Sequence, residues 1–230
     1  MIYYFLFNES RSSREAVIAF LISIVAYFVS LSVHEFAHAF VAVKMGDSTP
    51  KLMGRLSLNP FKHLDMIGFL SFMFVGIGWA KPVQVNPLNF KKYKLGNRLV
   101  SIAGVLSNFI LGLIAAGIYA ILISTVGVAS SGVLPYVYDI LMCFMLVNSF
   151  LAMYNMLPIY PMDGFNFITT FMKTENKFIK YNLKNGFKIL FTIILVSLLT
   201  DVFFGFDLLD WYLALLYNHV YIPIVRLGVL

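Results

Sequence analysis

"AVIAFLISIVAYFVSLSVHEFAHAFVAV", residues 16–43, decides the fold. It is apolar for longer than the roughly 20 residues that a helix needs to cross a bilayer. Yet His34, Glu35 and His38 sit inside it. The 230-residue chain is 60% hydrophobic and 12% charged, where soluble domains carry about a quarter charged residues. Further apolar runs lie at about 64–80, 99–127, 136–157, 186–204 and 209–227. The pattern predicts an all-α polytopic membrane protein, because membrane barrels show alternating segments of about ten residues instead. One integral-membrane domain, 1–230, is expected, with a core at 16–172 and additional C-terminal helices at 186–227. The first run is too long for a removable signal peptide and contains the polar cluster itself. A single cysteine, Cys143, excludes an internal disulfide and a cysteine-rich zinc site.

The net charge of +6 does not point to nucleic acid, because the basic residues fall in loops between apolar runs. They read as topology signals that place those loops in the cytoplasm. Lys44, Lys51, Arg55 and Lys62 follow the first run, and Lys81, Lys91, Lys92, Lys94 and Arg98 follow the second. A full crossing at 64–80 would put one basic segment outside. That run is also short and contains Gly68, Gly76 and Gly78. A re-entrant segment resolves the conflict. It leaves five crossings and an outside N-terminus, against which Arg11 and Arg14 count; a sixth crossing stays open. In "KPVQVNP", 81–87, Val83 and Val85 alternate with polar positions between prolines, which suits a short edge strand or an extended loop.

His34, Glu35 and His38 spell H-E-x-x-H. Positions i and i+4 share one helix face, so two imidazoles can bind one zinc ion while the glutamate takes a proton from an activated water. Uncompensated charge at the bilayer centre costs about 2.5 kcal/mol or more per group, and a bound metal offsets that cost. Catalytic zinc usually takes a third protein ligand. Asp139, His219 and His63 stand in weak contexts. Asp163 is the strong candidate, in "YNMLPIYPMDGFN", where Pro158 and Pro161 break the helix and Gly164 permits close backbone approach.

Together "HEFAHAF", "GWAKPVQVNP", "AGVLSN" and "NMLPIYPMDG" resemble the site-2 protease family of intramembrane zinc metalloproteases (peptidase family M50). More narrowly, they are similar to its compact bacterial branch without a PDZ domain. The resemblance covers about residues 30–170. It implies that His34, His38 and Asp163 hold one zinc ion and that Glu35 activates the water. It implies that Asn155 lines the site and steadies substrate or intermediate. Asn108 matches a family asparagine, expected at the same task. Val105 stands where many members have proline. The implied activity is proteolysis in or near transmembrane helices of membrane-anchored proteins, as in regulated intramembrane proteolysis. The implied location is the cell membrane, with the site toward the cytoplasm. The charge pattern agrees, since His38 lies six residues, or about 9 Å of helix, before Lys44. The expected partners are a substrate's transmembrane segment and the bilayer, and a homo-oligomer stays open.

Two other classes compete. A metal transporter would spread polar groups along two or more helices, and a degenerate scaffold would lack part of the ligand set. The compact cluster and the intact base favour the enzyme.

Overall fold

The computed structural model describes residues 12–75, 78–127, 132–173 and 175–229. Arg11 and Gly76 lie outside these residues. The chain is all-α: α1 (Ser13–Met45), α2 (Thr49–Leu52), α3 (Met66–Val75), α4 (Tyr93–Val126), α5 (Leu134–Asn155), α6 (Asp163–Thr169), α7 (Lys177–Phe204), α8 (Leu208–Leu213) and α9 (Ile222–Leu227). Five helical segments are long and apolar enough to cross a membrane: α1, α4, α5, α7 and the stretch Leu208–Leu227. The protein is a polytopic helical membrane protein.

Several helices outrun their apolar sequence. α4 begins at Tyr93 and α7 at Lys177, before the runs at 99 and 186, so both carry their first basic turns beyond the apolar stretch. Hydropathy marks where lipid would be, not where helical hydrogen bonding begins. α1 starts with a capping box, in which Ser12 and Glu15 satisfy each other's backbone N–H groups.

α1, α4 and α5 form the centre. His34 meets Asn108 while His38 meets Val100, so α1 and α4 run antiparallel. Asn108 meets Asn148 and Tyr119 meets Tyr138, so α4 and α5 do too. The C-terminal ends of α1 and α5 and the N-terminal end of α4 therefore share one end of the bundle. Small buried residues let the helices approach: Ala19, Ser23, Ala26, Ser30, Ala39 and Ala42 on α1, and Ala115 and Ala116 on α4. The last segment docks on this core. Tyr221 is fully buried beside Gly112, and its hydroxyl donates to Phe109 O at 3.1 Å.

α3 has ten residues, about 15 Å of helix, which is half of a hydrocarbon core of roughly 30 Å. Its flanks return to one place: the Lys81 N–H donates to His63 O at 2.8 Å. Trp79 O and Gly68 O sit where side chains on Gly68 and Gly78 would go, so both glycines are needed for the ascending and descending chains to touch. Phe72 stacks on Tyr27 of α1, centroids 3.9 Å apart. Its flanks therefore meet and its helix packs on α1, as a re-entrant segment would require.

Of the two readings of 81–87, edge strand or extended loop, the strand is not formed. Among the described residues no strand occurs, and 81–86 carries no ladder pairing. The segment is an extended loop whose alternation is real: Val83 and Val85 are half-buried, and Pro82, Gln84 and Asn86 are exposed. Its backbone donors go to carboxylates instead of a neighbouring strand. Asp47, fully buried, accepts from Asn86 N–H at 2.7 Å, Asn89 Nδ2 at 2.8 Å, and the Thr49 N–H and hydroxyl at 3.0 and 2.6 Å. Gly46 closes α1 at φ 115°, a conformation other residues rarely adopt.

Burial pushes the Asp47 carboxyl up, but those hydrogen bonds outweigh it and hold it below its ordinary 3.8. A carboxyl so depressed contributes its stabilisation in full above the ordinary value and loses it as pH falls through the folded value. Asp47→Ala is expected to destabilise the protein by roughly 1.5–3 kcal/mol near neutrality. The gap to wild type should close below about pH 4 in thermal unfolding of the detergent-solubilised protein. A gap that is constant down to pH 3 would sink this account.

Candidate metal centre

Two stripes face each other across the α1–α4 contact. On α1, Ser30, His34 and His38 recur every four residues; on α4, Val100, Gly104 and Asn108 do the same. The stripes run in opposite directions, so each residue meets its counterpart. His38 Nδ1 lies 2.7 Å from Val100 O and His34 Nδ1 lies 2.6 Å from Asn108 Oδ1. Between them Gly104 contributes no side chain, and a Cβ there would stand 2.5 Å from His34 Nε2.

Asp163 arrives from another direction. After α5 ends, Pro158 and Pro161 carry the chain through an irregular loop with a cis Tyr160–Pro161 bond. α6 then begins at Asp163. Gly164 lets this turn lie directly on Met156 O at the end of α5. α7 braces the loop from outside: the Tyr160 N–H donates to Asn182 Oδ1 at 3.3 Å, and Tyr160 O packs against Gly186. At the far end of α6, the Arg98 guanidinium lies over the Phe171 ring, 4.1 Å from its centroid, and bonds Thr170 Oγ1 at 3.3 Å.

His34, His38 and Asp163 thereby converge. His34 Nε2 and His38 Nε2 are 3.1 Å apart, and Asp163 Oδ2 is 3.3 Å from the first and 3.0 Å from the second. The proton positions follow from the partners. Val100 O can only accept, so His38 Nδ1 must carry its hydrogen. The Asn108 amide nitrogen is turned to Ser30 O and Asn148 Oδ1, which leaves its oxygen to accept from His34 Nδ1–H. In its neutral form each imidazole then presents its Nε2 lone pair to the same point. Asp163 Oδ2 is buried there with no hydrogen-bond partner. Three acceptors facing one another without a proton repel, and a cation between them removes the repulsion. Four-coordinate zinc with bonds of about 2.0–2.1 Å separates its ligands by about 3.3 Å, close to the spacings found. The residues fit a zinc ion. Among the described residues this is the one group of three or more His, Cys, Asp or Glu side chains that converges in this way.

Glu35 stays outside the triad. It is buried, and its Oε2 accepts from the Val83 N–H at 2.9 Å. Asn155 ends α5 half-buried, its amide donating to Leu151 O at 2.9 Å in its own helix. Asn108 is placed differently from the expectation of a substrate contact. It is fully buried behind His34, with its oxygen and both amide hydrogens engaged by protein. Sequence reading did not single out Gly104, Ser30 or Asn148, and it read Val83 for its side-chain alternation and not for its amide. The four-residue recurrences 30/34/38 and 100/104/108 were the available signal for two of them, Ser30 and Gly104. The Val83 amide had none, since a backbone donor leaves no mark in sequence.

No protein-family model matches the chain, and no solved structure matches it. Two curated proteins do. "Putative zinc metalloprotease YwhC" of Bacillus subtilis (strain 168) is 40% identical over 149 residues, covering 63% of this chain and 66% of that protein, just under two thirds of its length. "Putative zinc metalloprotease Rip2" of Mycolicibacterium smegmatis (strain ATCC 700084 / mc(2)155) is 27% identical over 210 residues, covering 84% of this chain and 73% of that protein. The chain is thus similar to two proteins named as zinc metalloproteases, and the donor set at the buried centre of its own bundle suits that metal.

Proposed function

We propose that the protein is an intramembrane zinc metalloprotease of the site-2 type. It would hydrolyse peptide bonds in or near transmembrane helices of membrane-anchored proteins, from a site opening toward the cytoplasm. The observation that carries this reading is the convergence of two imidazole nitrogens and a carboxylate oxygen at one buried point, with both histidines on a helix apolar enough to span lipid. The names of the two relatives support the same reading.

Zinc held by His34, His38 and Asp163 would supply Lewis acidity, lowering the pKa of water and polarising a carbonyl. Glu35 takes the proton from the attacking water and returns it to the leaving nitrogen. The Val83 amide keeps one Glu35 oxygen fixed, so the carboxylate does not swing away from the reacting atoms. Asn155, in the last turn of α5, steadies the substrate carbonyl. A helical peptide bond is shielded by its own hydrogen bonding, so the substrate must unwind near the cut. The extended segment 82–86 offers an unwound chain a partner by β-augmentation.

Purified protein reconstituted with a tagged single-span substrate tests this directly. Cleavage products should map by mass within or beside the span, and chelation of zinc should stop the reaction. Cleavage that survives His34→Ala, or that falls only in soluble segments, sinks the proposal. Val83→Pro removes the donor to Glu35 and should lower cleavage roughly 10- to 100-fold while zinc is retained, as expected for loss of a hydrogen bond to a charged group. A wild-type rate in that variant would exclude a role for this contact.

A further inference from the structure

Behind His34 lies a run of buried amides whose polarity can be fixed from its far end. Phe144 O and Ser30 O are backbone carbonyls and can only accept. Asn148 Nδ2 donates to Phe144 O and to Ser30 Oγ, both at 2.8 Å, which uses both of its hydrogens. Its Oδ1 is therefore the atom turned toward Asn108, and it accepts from Asn108 Nδ2 at 2.8 Å. The second Asn108 hydrogen goes to Ser30 O at 3.2 Å. Only then is Asn108 Oδ1 committed to His34 Nδ1. Ser30, Asn108 and Asn148 are all fully buried, one on each helix of the central bundle.

We infer that Asn148 and Ser30 are positioning residues for the metal, acting through Asn108 on the tautomer of His34. The reason lies in the near-symmetry of a carboxamide. Rotating Asn108 by half a turn exchanges oxygen and nitrogen with almost no change in shape. The rotated amide would point N–H at His34 Nδ1, which must then accept. The imidazole proton would move to Nε2 and project into the point where the metal ligands meet. Nothing in the shape of the site forbids that state. The acceptors Asn148 Oδ1 and Ser30 O do, because each would face the Asn108 oxygen. Metal-ligating histidines characteristically have their other nitrogen held in this way, and loss of such partners commonly weakens metal binding 10- to 100-fold. Here the holding extends two residues further, to a side chain that touches neither the metal ligands nor the base.

The inference rests on His34, His38 and Asp163 being metal ligands, and zinc affinity separates the two claims without reference to proteolysis. The full chain in detergent is titrated with zinc against a chromophoric chelator. Wild type should bind one equivalent, lost in His34→Ala; failure there would overturn the metal centre itself. Asn148→Leu, close in volume and without polarity, should bind zinc 10- to 100-fold more weakly. Asn108→Asp added to Asn148→Leu should restore part of that loss, because a carboxylate accepts from His34 Nδ1–H whichever way it is turned, although its second oxygen then faces Ser30 O. A residue that only glued helices together would show no such rescue. Zinc binding by Asn148→Leu as tight as wild type, or a double variant as weak as Asn148→Leu, overturns the inference. If Asn148→Leu does not fold, Ser30→Ala carries the test. It removes one acceptor and little volume, with several-fold weakening expected and unchanged affinity overturning the inference.

Discussion

Glu35→Gln is expected to leave zinc bound and the fold intact while cleavage falls by roughly 10²–10⁴, the range for removal of a general base. The substitution keeps the shape, and the glutamine oxygen can still accept the Val83 N–H that Glu35 Oε2 accepts at 2.9 Å. It abolishes basicity. Metal should persist because Glu35 does not belong to the converging triad of His34, His38 and Asp163. Asp163→Ala gives the contrasting outcome. It removes the one carboxylate among the three donors, so zinc and activity should be lost together. The pair is read by metal analysis on purified protein and by single-turnover cleavage of a helical substrate. Were Glu35→Gln to cleave at the wild-type rate, proton transfer would have to be assigned elsewhere. Loss of its metal as well would make Glu35 a ligand and the geometry above wrong.

The sequence made the three converging side chains legible because each is a rare residue type in apolar surroundings. His34 and His38 share a helix face by spacing alone, and Asp163 stands out through the prolines that disrupt its neighbourhood. The meeting of the two flanks of α3 was legible for a different reason. Two basic flanks cannot both be cytoplasmic around a crossing, and the bond between Lys81 N–H and His63 O shows the flanks returning to one place. What sequence could not show depends on which surfaces meet. Asn108 carries the same letter whether it faces substrate or the back of an imidazole, and only the antiparallel α1–α4 register decides. The 81–87 segment alternates like a strand because one side packs on protein, yet alternation does not say whether a neighbouring strand exists. α7, unassigned from sequence, has its place through Asn182 and Gly186, which hold the loop leading to Asp163.

Gly104→Ala should reduce zinc affinity by at least about 100-fold, the upper end of what loss of a ligand's support costs, although it adds a single methyl group. The Cβ would stand 2.5 Å from His34 Nε2 and closer still to His38 Nε2. The methyl thus falls among the atoms that must reach the ion. Either the imidazoles swing out of convergence or α4 backs away and carries Asn108 and Val100 with it. Both break the centre. In an ordinary helical position the same change favours the helix by about 1 kcal/mol, so loss of zinc here cannot come from weakened secondary structure. Two other glycines of α4 make the comparison decisive. A Cβ on Gly117 meets nothing within 4 Å, and one on Gly112 collides with the Tyr221 ring. Gly117→Ala should leave zinc affinity unchanged. Gly112→Ala should lower the melting temperature by loosening the last helical segment, with little change in zinc affinity, since Tyr221 bonds Phe109 and none of the ligands. Equal loss of metal in Gly104→Ala and Gly112→Ala would mean that the centre fails through general loosening of the bundle. Loss in Gly104→Ala alone would mean that α4 leaves a gap opposite His34 and His38 because the ion needs the space.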